Sequence, residues 1–442
     1  MSTRPWIKSY APGTPVDLPA LAHTHLAHFL RAHAQANAQR PAFSTVLPGG
    51  QCGTMSFAEL DARSDAFAAF LREELGLQAG DRVALQLPNC QAFPIAAFGV
   101  LKAGLVLVNT NPLYTPTEMA YQFKDSGAKA LVISDLFANK LKSALAGTSV
   151  EHVVCASLAE GFPVFTGTLV RLVMKYVHRR VPKCPVPFRD FGAALDLGAS
   201  RLRRGAKPDG YIAGQGHDSL AVLQYTGGTT GVSKGAMLSH GNLLSNVEQA
   251  YEFCKHRIVP GQEVVLAPLP LYHVFAFTVN LLTFYRTGAH GVLIPSPRPP
   301  YNLKAAFKRF EITWMCGVNT LYAALLNEAW FQKNPPKSLK VAIAGGAALT
   351  GAVAGVLVAP SVFLAPNNFV PIMISGFVAA VLGGLDSPPG AVVGAMLLGL
   401  ALSYVGGYAG TALVPIAALV VLVVVLMVRP TGLFPTTSER RV

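Results

Sequence analysis

Between Thr350 and Val428 one side chain, Asp386, carries a charge, whereas the 349 residues before it hold 33 Lys and Arg and 21 Asp and Glu. No single solvent suits both stretches. The chain is therefore expected to hold two parts: residues 1–349 adapted to water and residues 350–442 adapted to lipid. At 442 residues it is long enough for two or three domains with full cores. The positive excess of the first part is spread rather than blocked. It fits an anionic ligand, an acidic membrane surface or simply a solvated face, and no nucleic-acid partner is expected.

Cys52, Cys90, Cys155, Cys184, Cys254 and Cys316 stand at irregular spacings without a C-x-x-C pair. That favours a reduced, cytoplasmic domain over a disulfide framework or a zinc site. The opening "MSTRPWIKSYAPGTP" has no apolar run of the signal-peptide kind. His23, His25, His28 and His33 cluster without a carboxylate or cysteine partner, so no metal site is expected.

From about residue 20 to 340, helical and strand patterns alternate. "FAELDARSDAFAAFLREEL" (57–75) has apolar residues three and four apart, the mark of an amphipathic helix. "RVALQL" (82–87) reads as a strand, "AFPIAAFGVLKAG" (92–104) as a helix and "ALVISD" (130–135) as a strand. Such alternation implies βαβ units on parallel sheets. In "VFTGTLVRLVMKYVHRRVPK" (164–183), Val170, Val173 and Val177 recur on one helical face and Arg171, Lys175 and Arg179 on another. A basic amphipathic helix of this kind either lies in a membrane interface or docks on its own domain.

Four apolar stretches follow position 349, at about 351–365, 369–385, 391–408 and 410–428. The last is 19 residues, about 28 Å as a helix against a hydrocarbon core of about 30 Å, and membrane insertion is expected. Arg429, Arg440 and Arg441 then agree with a cytoplasmic end, which places this part in a bacterial inner membrane.

The strongest chemical signal is "LAVLQYTGGTTGVSKGAMLSHGN" (220–242). An apolar strand runs into Thr226, Gly227, Gly228, Thr229, Thr230, Gly231, Val232, Ser233 and Lys234. Glycines let backbone N–H groups converge on an anion, hydroxyls add donors and Lys234 adds a full charge, so the segment reads as a polyphosphate cradle. It does not fit the spacing of a Walker loop.

These residues resemble the signature of adenylate-forming enzymes, and specifically of bacterial long-chain fatty-acid:CoA ligases. Further stretches match in order: "WIKSY", "GDRVALQLPNCQAFPIAAFGVLKAGLVLVNTNPLYTPTEM" (80–119), "APLPLYHVFAFT" (267–278), "CGVNTLYAALLN" (316–327) and "VAIAGGAAL" (341–349). The resemblance implies ATP, Mg2+ and coenzyme A, with a long-chain fatty acid as substrate. It places the β and γ phosphates on Thr226 to Lys234, His273 beside the acyl carboxylate, Val318, Asn319 and Thr320 along the acyl channel, and Gly345, Gly346 and Ala347 at adenine. The expected fold is α/β, a truncated adenylate-forming domain of βαβ units over residues 1–349, followed by an all-α transmembrane segment over 350–442.

The family's Y-G-x-T-E and T-G-D stretches, which supply its magnesium-binding glutamate and ribose-binding aspartate, do not occur in this chain, nor does its catalytic lysine domain. Impaired turnover is the expectation. "AVLGGLDSPPGAVVGAMLLGL" and "VVLMVRPTGLFP" in turn resemble the end of a branched-chain amino-acid permease of the ATP-driven uptake class. "AGGAAL" fits both patterns, as a fusion across a short shared repeat would. A permease fragment with permease subunits as partners is the alternative reading.

Overall fold

Thirteen strands in two mostly parallel sheets organise residues 41–344 of a computed structural model, which describes residue 7 and residues 14–226, 233–344, 388–408 and 414–428. The strands are β1 (Pro41–Val46), β2 (Cys52–Ser56), β3 (Arg82–Gln86), β4 (Val106–Asn109), β5 (Ala128–Ser134), β6 (His152–Ala156) and β7 (Arg189–Asp190). Then come β8 (Leu220–Thr226), β9 (Lys234–Ser239), β10 (Val264–Ala267), β11 (His290–Leu293), β12 (Trp314–Gly317) and β13 (Val341–Ala344).

One sheet has the order β13-β12-β10-β11-β1-β2 and the other β7-β6-β5-β3-β4-β8-β9. All neighbours are parallel except β1 with β2 and β8 with β9, so each sheet closes with one antiparallel edge strand. In the second sheet the chain adds β4 on one side of β3 and then crosses to place β5 on the other. Crevices that take ligands form at such a switch, beyond the carboxyl ends of the strands.

Local chemistry explains the elements. Ser56 caps the helix Phe57–Ala69: its Oγ accepts from Glu59 N at 3.2 Å while the Glu59 carboxylate accepts from Ser56 N at 2.7 Å. Thr115 and Glu118 repeat the device at the helix Pro116–Ser126. The expected helix over 57–75 is present as Phe57–Ala69 continued by a π-helical turn to Glu74, and strands occupy 82–86 and 128–134 as the pattern required.

The helix Ala92–Lys102 is buried on every side, with Phe93, Ile95, Phe98 and Leu101 in a cluster that reaches both sheets. Lys102, 1% exposed, answers its burial with Asp61 and with Asp65 at 2.8 Å, and Asp65 in turn holds Arg31 at 3.0 Å. The helix Phe191–Arg203 crosses Phe57–Ala69 at Gly198, where an added Cβ would lie 1.7 Å from the Ala66 carbonyl oxygen.

By contacts the chain divides into two compact units, residues 1–345 and 346–442. In the second, the helices Pro388–Tyr408 and Val414–Val428 pack on each other, burying Leu398 and Ala418. The expected all-α transmembrane segment finds no support: among the described residues no helix is long and apolar enough to cross a membrane. The last apolar stretch is described as helix over Val414–Val428, 15 residues or about 22 Å, short of a hydrocarbon core of about 30 Å. Pro388–Tyr408 begins on a proline pair and ends on Gly406, Gly407 and Tyr408, which shortens its apolar part. The stretches expected at 351–365 and 369–385, and the tail arginines, lie outside the described residues. The expected inner-membrane placement, lipid-spanning contacts and permease partners of this unit are left without support.

Candidate functional site

β8 carries the core of the first unit outward and stops where the expected phosphate loop begins. Ala221 and Val222 are fully buried, Gln224 and Tyr225 nearly so, and Thr226 is exposed. The antiparallel return of β9 sets Lys234 opposite Thr226 and Gly235 opposite Tyr225. Ser233 Oγ donates to the Thr226 carbonyl at 3.0 Å, a further tie across the mouth of the hairpin. A hydroxyl residue, a serine and a lysine thus meet at one point, as a polyphosphate cradle requires. Gly227, Gly228, Thr229, Thr230, Gly231 and Val232 lie outside the described residues, as do Gly345, Gly346 and Ala347.

Below the hairpin, Tyr225 Oη donates to Asp125 Oδ2 at 2.5 Å; burial, with this carboxylate second, pushes the phenol well above its ordinary value. Gln224 turns the other way. Its Oε1 accepts from Asn109 Nδ2 at 3.0 Å and its Nε2 donates to the Tyr272 carbonyl at 3.0 Å. One buried amide therefore joins the end of β4, β8 and the segment before His273.

Asn89, beyond the end of β3, clamps that same segment. Its Nδ2 donates to the carbonyls of Ala267 at 2.9 Å and Leu269 at 2.7 Å, and its Oδ1 accepts from Leu271 N at 2.8 Å. His273 is exposed and precedes the short helix Val274–Ala276, so it is available to a ligand rather than spent on the core.

A cavity of about 620 Å³ opens at the carboxyl ends of strands from both sheets. Asn89, Asn111, Phe137, Leu269, Tyr272 and Val318 lie on its wall, together with Arg180 and Arg298. Asp135, one residue before the wall, has its carboxyl pushed up to about 6 by burial. Of the expected acyl-channel residues, Val318 is on the wall, whereas Asn319 and Thr320 are exposed on the first turn of the helix Asn319–Leu326. Tyr322 of that helix donates towards the carbonyls of Met315 and Ile343, both at 2.9 Å, tying β12 to β13.

Sequence reasoning passed over Asn89, Asn109, Gln224, Arg180 and Arg298. A signal for the three amides existed: each is a polar residue in or beside an apolar run, in "LQLPN", "VLVN" and "AVLQYT". Nothing local marked the arginines. One member of the histidine group at the start is spent on the fold. His25 Nδ1 accepts from Ala27 N at 3.1 Å, His240 Nδ1 accepts from Leu26 N at 3.2 Å, and the two ring centroids lie 3.5 Å apart with their planes tilted by 32°.

Residues 30–359 match the AMP-binding enzyme family, and residues 334–429 match the permease component of the branched-chain amino acid transport system. A long-chain-fatty-acid CoA ligase of Salmonella typhimurium is 41% identical over 350 residues, 79% of this chain and 60% of the relative. The corresponding ligase of Bacillus subtilis is 33% identical over 349 residues, again 79% and 60%. The chain thus spans 60% of the length of these curated relatives. Among solved structures, an anthranilate CoA ligase in complex with anthranoyl-AMP superposes with a TM-score of 0.61 at 22% identity, over 77% of this chain and 58% of that one. A long-chain-fatty-acid CoA ligase from Archaeoglobus fulgidus superposes at 0.57 and 19% identity, over 79% and 62%. With two sheets, a hydroxyl-and-lysine hairpin and a crevice at the strand ends, the chain belongs to the AMP-binding enzyme family.

Proposed function

We propose that residues 30–359 bind ATP and a long-chain fatty acid as the adenylate-forming part of a fatty-acid CoA ligase. One observation carries this: Gln224, two residues before Thr226 in β8, donates to the carbonyl of Tyr272 on the wall of the cavity, so the polyphosphate cradle and the apolar crevice are held by one buried side chain. The identity to curated long-chain ligases supports the fatty-acid class.

In this reading Thr226, Ser233 and Lys234, with the loop between them, hold the β and γ phosphates and offset their charge. Val318 and its neighbours on the wall receive the acyl chain, His273 stands at the carboxylate end, and Gly345, Gly346 and Ala347 flank adenine. Catalysis from such parts is positioning and electrostatic stabilisation, because a carboxylate held in line with the α-phosphate needs little covalent help from protein. Mg2+, when bound with ATP, would share the charge of the phosphates held by Thr226, Ser233 and Lys234. Coenzyme A is the thiol acceptor of the complete reaction.

The chain departs from the AMP-binding match at 359 and lacks the Y-G-x-T-E and T-G-D stretches, so binding without thioester turnover is the outcome we expect of it alone. Lys234→Ala should weaken ATP binding by about 10- to 100-fold, the loss of a hydrogen bond to a charged group, as read by calorimetric titration. Equal affinity in the variant, or no ATP binding by the parent chain, would sink the assignment. ATP–pyrophosphate exchange with palmitate decides turnover: exchange above background would show that adenylation does not need the Y-G-x-T-E and T-G-D stretches. We do not favour a transport role, since no described helix can cross a membrane.

A further inference from the structure

Between β6 and β7 the chain leaves its sheet after Ala156 and returns at Arg189. On the way it forms the helix Val164–Leu172, continued by a π-helical turn to Val177, which turns an apolar stripe of Phe165, Leu172 and Tyr176 to water. The hold on this excursion is thin. Val170 packs in a small cluster with Leu47, Ala159 and Phe162, Arg171 pairs with Glu160 at 3.0 Å, and β7 is two residues long. Segments with so few buried contacts open at low cost. Yet Met174 and Arg180, both on the excursion, line the crevice described above and a neighbouring cavity of about 570 Å³.

Two thiols stand at its base. Cys155, the penultimate residue of β6, is 5% exposed and lies in the cluster of Leu131, Ile133 and Val153. Cys184, half-buried on the way back to β7, packs against the same cluster, and its thiol meets that of Cys155. The register of β6 with β7, Cys155 beside Asp190, brings the return past this point. The two thiols differ in access. Burial first, and the neighbouring Cys184 second, push the Cys155 thiol up to about 12, so it stays protonated, whereas Cys184 is open to solvent in part. Among the described residues no group of three metal-ligating side chains includes them, which leaves sulfur exchange as the chemistry of the pair.

We propose that Cys155 and Cys184 are a dithiol that a low-molecular-weight disulfide oxidises to a bridge, closing the excursion at its base and fixing the wall that Met174 and Arg180 supply. Cys184, as thiolate, attacks one sulfur of the reagent. A mixed disulfide forms, the reagent's S–S bond breaks, and the departing thiolate takes up the proton that Cys184 gave to water. Cys155 then attacks the Cys184 sulfur and expels the second thiolate, which takes the Cys155 proton. Two protein thiols are oxidised by two electrons, and one small disulfide is reduced to two thiols. A buried thiol suits the second step, because its target is held against it and solvent-borne reagent does not reach it first. The bridge forms whichever ligand the crevice takes.

The test equilibrates the full chain in buffers of oxidised and reduced glutathione, quenches with acid and maps the peptides by mass. A linked pair containing Cys155 and Cys184, cleared by dithiothreitol, is the expected result. The ratio of bridged to reduced chain should follow oxidised glutathione over the square of the reduced form, tenfold for each step of about 30 mV. A glutathione adduct on Cys184 without the bridge follows the first power instead and overturns the proposal, as does a pair that stays reduced in oxidised glutathione alone. Cys155→Ala should trap the adduct on Cys184, and an unmodified Cys184 in that variant contradicts the order of attack; the glutathione dependence of the parent chain needs no variant. Limited trypsin cleavage after Lys175, Arg179 and Arg180 should slow several-fold in the bridged chain, and equal rates would show that the bridge does not hold the wall.

Discussion

His25 and His240 pack ring against ring, tilted by 32° and with no exposure to solvent to speak of, and each spends its Nδ1 lone pair on a backbone N–H at the start of the helix Leu26–Ala36. That arrangement needs neutral rings. Burial pushes His25 down to about 4, against the hydrogen bond to Gln215 and with His28 adding to the fall, and pushes His240 down to about 3, with His25 adding to it. In the unfolded chain both titrate near 6.5, so between pH 6.5 and 4 the unfolded state binds more protons and stability falls as pH falls. Denaturant unfolding at pH 7.5 and pH 5 should show a loss on the order of 2 kcal/mol per ring, which a flat profile would contradict. The pairing itself spans more than two hundred residues of sequence, so no local pattern announced it; the sequence showed only that the histidines lacked metal partners.

At the scale of elements, the crossing of Phe191–Arg203 over Phe57–Ala69 is decided by one missing methyl group. A Cβ at Gly198 would sit 1.7 Å from the Ala66 carbonyl, so Gly198→Ala must part the two helices, disturbing Phe67 and Phe191, whose rings lie 5.1 Å apart. A cost of about 3 kcal/mol is expected, measured as a lowered unfolding midpoint with unchanged far-ultraviolet circular dichroism at low temperature. The strands and helices were legible because hydrogen-bonding period and capping are local: Ser56 with Glu59 and Thr115 with Glu118 stand three residues apart. The β8–β9 hairpin was legible for the same reason, since loop, hydroxyls and lysine are contiguous. The walls of the crevice were not. Phe137, Leu269 and Val318 follow different strands of different sheets, and only the order of those strands brings them together.

For the whole molecule the two units differ in what they leave exposed. The principal clusters of buried residues among those described belong to the first unit, whereas the second exposes Met396, Leu400, Val420, Val424 and Met427 on its two helices. Contiguous apolar surface of that kind drives association in water. Residues 1–345 expressed alone should remain monodisperse without detergent and unfold at the midpoint of the full chain, while the full chain should need detergent; light scattering and thermal unfolding distinguish the cases, and aggregation of the shorter chain would count against it. The sequence by itself determined the α/β alternation, the glycine- and hydroxyl-rich β8–β9 hairpin and the change of character near residue 349, because period, spacing and hydropathy are written in consecutive residues. Its expectation of membrane-spanning helices finds no support in the described helices 388–408 and 414–428, since hydropathy records which solvent a segment prefers and not how far its helix extends. Tertiary structure alone decided that Asn89 and Gln224 grip the segment before His273, that Lys102 finds Asp61 and Asp65, and that one helix turns an apolar stripe outward, because each depends on contacts between residues that only strand order and helix crossing place side by side.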